Sequence, residues 1–159
     1  QEIGNSGYFI RDDGTVRLKR GKISHGCMTR PGYRQVSMYH EKRTRTIHIH
    51  KLVARAFVVN PRPDLFDRVD HIDQNRTNNH FTNLRWVNNQ LNTLNNDAAG
   101  AYKHYGKWAA QCGVNYKSIC LGTYETKQEA SMVSRKFRKA TFDRIYNQLL
   151  TSSLNTDTL

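Results

Sequence analysis

Acidic residues are few in this chain of 159: 13 Asp and Glu stand against 25 Lys and Arg, a formal charge of +12. The shortfall points to a polyanionic partner, because each phosphate neutralised by Lys or Arg releases condensed counterions. A basic surface can also be merely solvated, so charge alone does not decide. Long apolar runs are missing too. No window approaches the length of a membrane span and no signal-like segment opens the chain, so no membrane partner is expected. Cysteine is scarce: Cys27, Cys112 and Cys120 form neither a CxxC pair nor a Cys/His cluster, which argues against a structural zinc site. We expect free thiols in a reducing, cytoplasmic setting, with Cys112 and Cys120 as small buried hydrophobes in strand-like segments. The sequence opens on Gln1 rather than Met, as a processed or trimmed chain would. Internal repeats and coiled-coil heptads are absent, and a monomer is expected. Disorder is disfavoured, since 37% of residues are hydrophobic and eight Tyr and two Trp are spread along the chain.

The charge that is present is unevenly placed. Residues 1–60 carry +8 and residues 98–159 carry +5, while residues 61–97 carry −1 and are rich in Asp and Asn. Two basic flanks thus enclose a middle where a cation would be least opposed. Local patterns divide the chain similarly. Residues 7–20 predict a hairpin turning at Asp13-Gly14, and a loop with Gly21, Gly26, Pro31 and Gly32 follows. Tyr33 to Tyr39 and Thr44 to Ile49 predict two more strands, with His48 facing out of the second. HKLVARAFV at 50–58 switches to a helical period ended by Asn60-Pro61. A short strand spans Arg68 to Ile72, a polar loop Asp73 to Asn79, and a helix starts near Asn88 or Asn89. Strands at 101–104, 107–114 and 117–123 precede an amphipathic helix from Lys127 to Ala140, which residues 142–150 could extend. Its expected inward face is Ala130, Val133, Phe137 and Ala140, with a capping box from Thr126 and Glu129.

The decisive segment is Val69-Asp70-His71-Ile72-Asp73-Gln74-Asn75, then Asn78-Asn79, Asn83-Leu84-Arg85-Trp86, and Asn92 on the following helix. Taken singly, an Asp-His pair is ordinary surface and Asn-rich stretches make Asx turns, the role expected of Asn75, Asn78 and Asn79. Leu84 and Trp86 are expected in the core. In combination, order and spacing over about residues 45–96 resemble the ββα-metal motif of HNH endonucleases, in the form used by phage intron-type homing endonucleases. The resemblance implies His71 as general base, with an imidazole whose ordinary pKa lies near neutrality. It implies Asp70 and Asn92 as metal ligands, Asp70 facing an ion while His71 faces the water, and Asn83 as the residue bracing the His-bearing loop. Asn stands where many members carry His, so an oxygen site for Mg²⁺, with Mn²⁺ as a substitute, is expected rather than zinc. A phage-encoded origin in a bacterial host is a further implication.

The last third, with its GKW, LGTYET and KQEA, resembles the DNA-binding domain of plant ethylene-response-type transcription factors, in which a three-stranded sheet lies in the major groove. This implies DNA contacts from Lys103, His104, Lys107, Trp108, Gln111, Asn115, Tyr116 and Lys117, with a core role for Trp108 equally open. In the first half Arg17, Lys19, Arg34, Lys42, Arg43 and Arg45 fit phosphate contacts, which position without specifying. His50 and Arg85 join them as candidate DNA contacts, His50 having a helix-start packing role as its alternative.

The expected fold class is α+β: a ββα-metal nuclease core at 45–97, a basic β-rich module at 1–44, a sheet-plus-helix DNA-binding domain at 98–145 and a tail at 146–159. The expected function is metal-dependent, site-specific hydrolysis of double-stranded DNA, by a nick or a double-strand break. The alternative is a non-catalytic sequence-specific DNA-binding protein, which would have the basic flanks without needing Asp70, His71 and Asn92. An RNA-binding protein shares the charge but calls for exposed aromatics as stacking platforms.

Overall fold

Short antiparallel strands dominate because the turn residues recur every few positions, leaving no room for long ladders. The computed structural model describes residues 1–96 and 98–152. They form two compact units, Gln1–Val87 and the residues from Asn88 onward.

In the first unit, β1 (Phe9–Ile10), β2 (Val16–Arg17) and β3 (Ile23–Ser24) make one three-stranded sheet. The Asp13-Gly14 turn closes its first hairpin, where the Asp13 carboxylate accepts from the Thr15 amide at 2.8 Å. A second three-stranded sheet is built from β4 (Cys27–Met28), β5 (Arg34–His40) and β6 (Arg43–His48). The β5–β6 turn holds Glu41 and Lys42 at φ of 50° and 59°, a left-handed pair that matches the twist of a tight hairpin. Helix α1 (Ile49–Phe57) then buries Ile49, Leu52, Val53 and Ala54 on one face. Strands β7 (Arg68–His71) and β8 (Leu84–Val87) pair as an antiparallel hairpin across a long polar loop, with a single 3₁₀ turn at Phe81–Asn83 before β8. One core joins these pieces: Ile10, Val16, Val36 and Met38 from the sheets meet Ile49, Leu52, Val53 and Leu84. Trp86 is half-buried at its edge and donates its indole N–H to the Val58 carbonyl at 3.0 Å.

In the second unit, α2 (Asn89–Leu94) is capped by the Asn88 side chain, which accepts from the Leu91 amide. Strands β9 (Ala101–His104), β10 (Lys107–Val114) and β11 (Lys117–Tyr124) form a sheet in the order β11-β10-β9. Helix α3 (Lys127–Thr151) packs on all three strands. Its capping box is complete, with Thr126 Oγ1 accepting from the Glu129 amide and Glu129 returning to the Thr126 amide. Gly100 sits where a Cβ would come within 2.6 Å of the Ser134 Cβ, so the chain enters β9 pressed against α3.

Several expectations change on sight of the structure. The loop of residues 21–32 contains β3 and β4, each too short to show a period. Helix α3 reaches Thr151, so the extension open to residues 142–150 is made and takes in the start of the tail expected from 146; residues 153–159 lie outside the described residues. Its buried stripe is Ala130, Ser134, Arg138, Thr141 and Phe142, whereas Ala140 is exposed. That stripe has helical spacing but is mostly polar, so a search for apolar periodicity drifts to the neighbouring face. Arg138 is buried because its guanidinium donates to the backbone carbonyls of Asn96 and Ala98 and to the Asn96 side chain. Cys112 is buried as expected and burial raises its thiol pKa, but Cys120 is exposed on the edge strand β11. All three cysteines are unpaired. No described helix is long and apolar enough to cross a membrane.

Candidate active site around His71

Strand β7 ends on the two residues the sequence singles out. Its register sets Asp70 directly opposite Arg85 and His71 opposite Leu84 on β8. Being adjacent on a strand, the two side chains point to opposite faces. On one face the Asp70 carboxylate, in a residue only 6% exposed, accepts from Arg85 Nε at 3.0 Å and lies 2.9 Å from Nη2. The pairing neutralises a carboxylate that would otherwise be costly to bury. Arg85, a candidate DNA contact from sequence, thus has its guanidinium on Asp70.

On the other face His71 is 4% exposed. Its Nε2 lies 3.1 Å from Asn79 Oδ1, while the Asn79 amide nitrogen donates to the Thr77 carbonyl. With Oδ1 as the acceptor, Nε2 carries the proton and Nδ1 the lone pair of the neutral ring. Burial lowers the His71 pKa; the hydrogen bond to Asn79 and the charge of Asp70 work against that and do not overcome it. The imidazole therefore stays neutral at physiological pH. Asn79, expected in an Asx turn, is instead 4% exposed and turned inward. It is backed by the first hairpin: a Cβ on Gly14, whose φ is +88°, would come within 2.8 Å of the Asn79 Cβ.

The loop after His71 is held by a network centred on Asp73. Asn78 and Asn83 donate to its two carboxylate oxygens at 2.8 Å each, and the Asn75 amide donates at 2.8 Å. Burial opposes ionisation of Asp73, but these donors outweigh it and hold the carboxyl below the usual range. Asn83 also accepts from the Asp73 amide and donates to the Asn78 carbonyl, and its own carbonyl takes the Ile72 amide. Asn83 therefore ties both ends of the His-bearing loop together. Asn75 makes the expected Asx turn to Thr77. Gln74 sits at φ +64°, the left-handed bend that turns the chain out of β7.

Two further rings, His50 and Tyr33, lie against His71, and His48 extends the cluster. His50, at the start of α1, meets His71 edge-on at 5.0 Å between centroids. His48 stacks on His50 at 5.3 Å, so it faces inward rather than out. Tyr33 lies 5.2 to 6.0 Å from all three imidazoles. His50 is 5% exposed and its Nδ1 has no hydrogen-bond partner. Burial first, then the neighbouring His71 and His48, push its pKa down to about 3. Tyr33 and Asn79 are the residues sequence reading misses. Tyr33, expected to open a strand, precedes β5, which starts at Arg34, and both residues reach the site through loops.

Asn92 lies on α2 in the second unit. Arg17, Lys19, Lys42, Arg43 and Arg45 are exposed on the first unit's hairpins, and Arg34 is half-buried with a bond to the His25 carbonyl. The Arg17 guanidinium stacks 4.0 Å from the Phe9 ring. In the second unit Lys103, His104, Lys107, Gln111, Asn115, Tyr116 and Lys117 are all exposed. Trp108 is half-buried with the Lys127 ammonium 5.6 Å from its ring, and Lys107 pairs with Glu125 at 2.6 Å.

No family model matches the chain. It is 34% identical over 127 residues to an uncharacterised HNH endonuclease, L245, of Acanthamoeba polyphaga mimivirus, covering 79% of this chain and 37% of that protein. It is 33% identical over 94 residues to the DNA endonuclease I-HmuI of Bacillus phage SP01, covering 58% and 53%. A prophage-derived putative HNH homing endonuclease of Bacillus subtilis, YosQ, is 32% identical over 96 residues, covering 59% and 54%. The chain therefore spans between about a third and a half of the length of these relatives. A solved structure described as DNA binding and cleavage by the HNH homing endonuclease I-HmuI is similar with a TM-score of 0.53 at 32% identity, over 58% of this chain and 53% of that one. In sequence, and over that share in fold, the chain is similar to HNH endonucleases; none of these names the plant ethylene-response type.

Proposed function

We propose that this chain is a divalent-metal-dependent HNH endonuclease of the homing type, hydrolysing phosphodiester bonds of double-stranded DNA at a specific site. The observation that carries the reading is the end of β7. There a buried carboxylate and a buried neutral imidazole stand on adjacent residues, each locked by its own partner. Similarity to named HNH endonucleases supports it.

The roles follow from the chemistry. His71 takes a proton from the attacking water at Nδ1, since Nε2 is committed to Asn79. Its burial keeps the ring unprotonated and ready. Asn83 fixes the loop that carries it. Asp70, whose carboxylate takes the Arg85 guanidinium, would supply a hard oxygen donor suited to Mg²⁺ or Mn²⁺, and Asn92 keeps the ligand role that its place in the motif implies. Among the described residues no group of three or more His, Cys, Asp or Glu side chains is placed to hold an ion. The donor set must then be completed by amide, phosphate and water oxygens. Such an ion supplies charge relief on the phosphate and on the departing oxygen. One site per chain makes a single-strand nick the expected event of a monomer. The exposed cations of both units, and Tyr116 at a hairpin tip, serve as the DNA grip, with the β9–β11 sheet as the groove-reading surface.

The test is to select bound sequences from a random duplex library, then incubate them with the protein in Mg²⁺, Mn²⁺ or EDTA. Metal-dependent cleavage at one mapped position is expected. Tight, specific binding with no cleavage in either metal would establish the non-catalytic DNA-binding reading instead.

A further inference from the structure

The loop between β4 and β5 reaches the active site although no motif marks it. Its backbone is fixed by Thr29, whose amide and hydroxyl both bond the Tyr33 carbonyl while Thr29 Oγ1 accepts from the Tyr33 amide at 3.0 Å. That turn presents the Tyr33 ring to His48, His50 and His71 together. A second tether comes from the catalytic loop itself. Arg76 donates to the Pro31 carbonyl at 2.6 Å, and its guanidinium lies 5.0 Å from the Tyr33 ring centroid. Forty-five residues separate Arg76 from Pro31, so the bond joins two loops that the sequence keeps apart.

We propose that Tyr33, clamped by Arg76, is a positioning residue for His71: with His50 it forms the wall that fixes the plane of the catalytic imidazole. Rotation of the imidazole about its Nε2–Asn79 hydrogen bond would swing Nδ1 away from the water. Rings packed edge-on and tilted at 5 to 6 Å resist that rotation through dispersion contacts and quadrupole preference. His50 can do this without competing for protons, since its buried ring has no hydrogen bond at Nδ1 and remains uncharged. Arg76 supplies what the aromatic contacts lack, a directional link between the two loops. A cation over an aromatic face at an exposed site biases a loop without holding the fold.

The inference rests on His71 being the proton acceptor, so its test has a readout independent of cleavage. Carbon–proton correlation spectra of the histidine rings, with His71 assigned through His71→Gln, are recorded for wild type, Tyr33→Leu, Tyr33→Phe and Arg76→Ala. Single-turnover rates and DNA affinity on the mapped target duplex are measured beside them. We expect Tyr33→Leu to move the His71 ring resonances and to slow cleavage by on the order of 10- to 100-fold with affinity unchanged. Tyr33→Phe, which keeps the ring, should restore both, and Arg76→Ala should shift both in the direction of Tyr33→Leu. Unmoved His71 resonances in a folded Tyr33→Leu protein would overturn the proposal. So would a loss confined to DNA affinity, or a faster rate, which would make Tyr33 a DNA contact or a lid. If wild type cuts no DNA, the nuclease reading fails on its own, and the ring resonances still decide whether Tyr33 positions His71.

Discussion

At His71 one amide decides which nitrogen can act. Asn79 Oδ1 fixes the tautomer, and Gly14 leaves room for Asn79 to do so. Asn79→Leu should therefore slow cleavage by about 10-fold or more while leaving DNA affinity intact. It should also lower stability by about 1–3 kcal/mol, because a buried N–H is left without an acceptor. Single-turnover rates and chemical denaturation of the variant check both. His50 gives a second residue-scale prediction through pH. Its folded pKa is depressed to about 3 from an ordinary value of 6.5, so between these limits the unfolded chain binds the extra proton. Stability from this group is fully present above 6.5 and is lost as pH falls toward 3. Denaturation midpoints measured at pH 7 and pH 5 should drop less for His50→Phe than for wild type; equal drops would show that His50 is not the group responsible.

Among the elements, α3 carries the clearest prediction. Arg138 lies in its buried stripe and satisfies two backbone carbonyls in the segment after α2. Arg138→Leu should destabilise the chain by about 1–3 kcal/mol, and Arg138→Lys should not fully rescue it, since a point donor does not replace a planar fork. Denaturation midpoints report this, and an unchanged midpoint for Arg138→Leu would contradict it. The same helix shows what a sequence conceals. Its start was legible because Thr126 and Glu129 form a local capping box, but its buried face was not, because Ser134, Arg138 and Thr141 are polar and only their partners explain their burial. The longer strands, α1 and the final sheet followed periodicity and turn residues. Strands β3 and β4, of two residues each, have no period to read. At the site, Asp70, His71 and Asn83 were singled out through the resemblance of their motif to the HNH pattern, whereas Tyr33 and Arg76 meet across a separation that no local pattern records.

On the scale of the whole chain, the two flanks carry +8 and +5 and suit the polyanion of the proposed function, while the middle, at −1, holds the residues proposed for chemistry. Binding and cutting should then be separable. Single-turnover cleavage of the mapped duplex by wild type and by His71→Ala, with affinity measured on the same DNA, tests that separation and the nuclease reading together. We predict unchanged affinity and a rate lower by about 10²–10⁴-fold, the usual contribution of a positioned general base. Cleavage by His71→Ala at the wild-type rate, in the same metal and at the same position, would contradict the assignment of His71 and with it the reading of β7 as the catalytic strand.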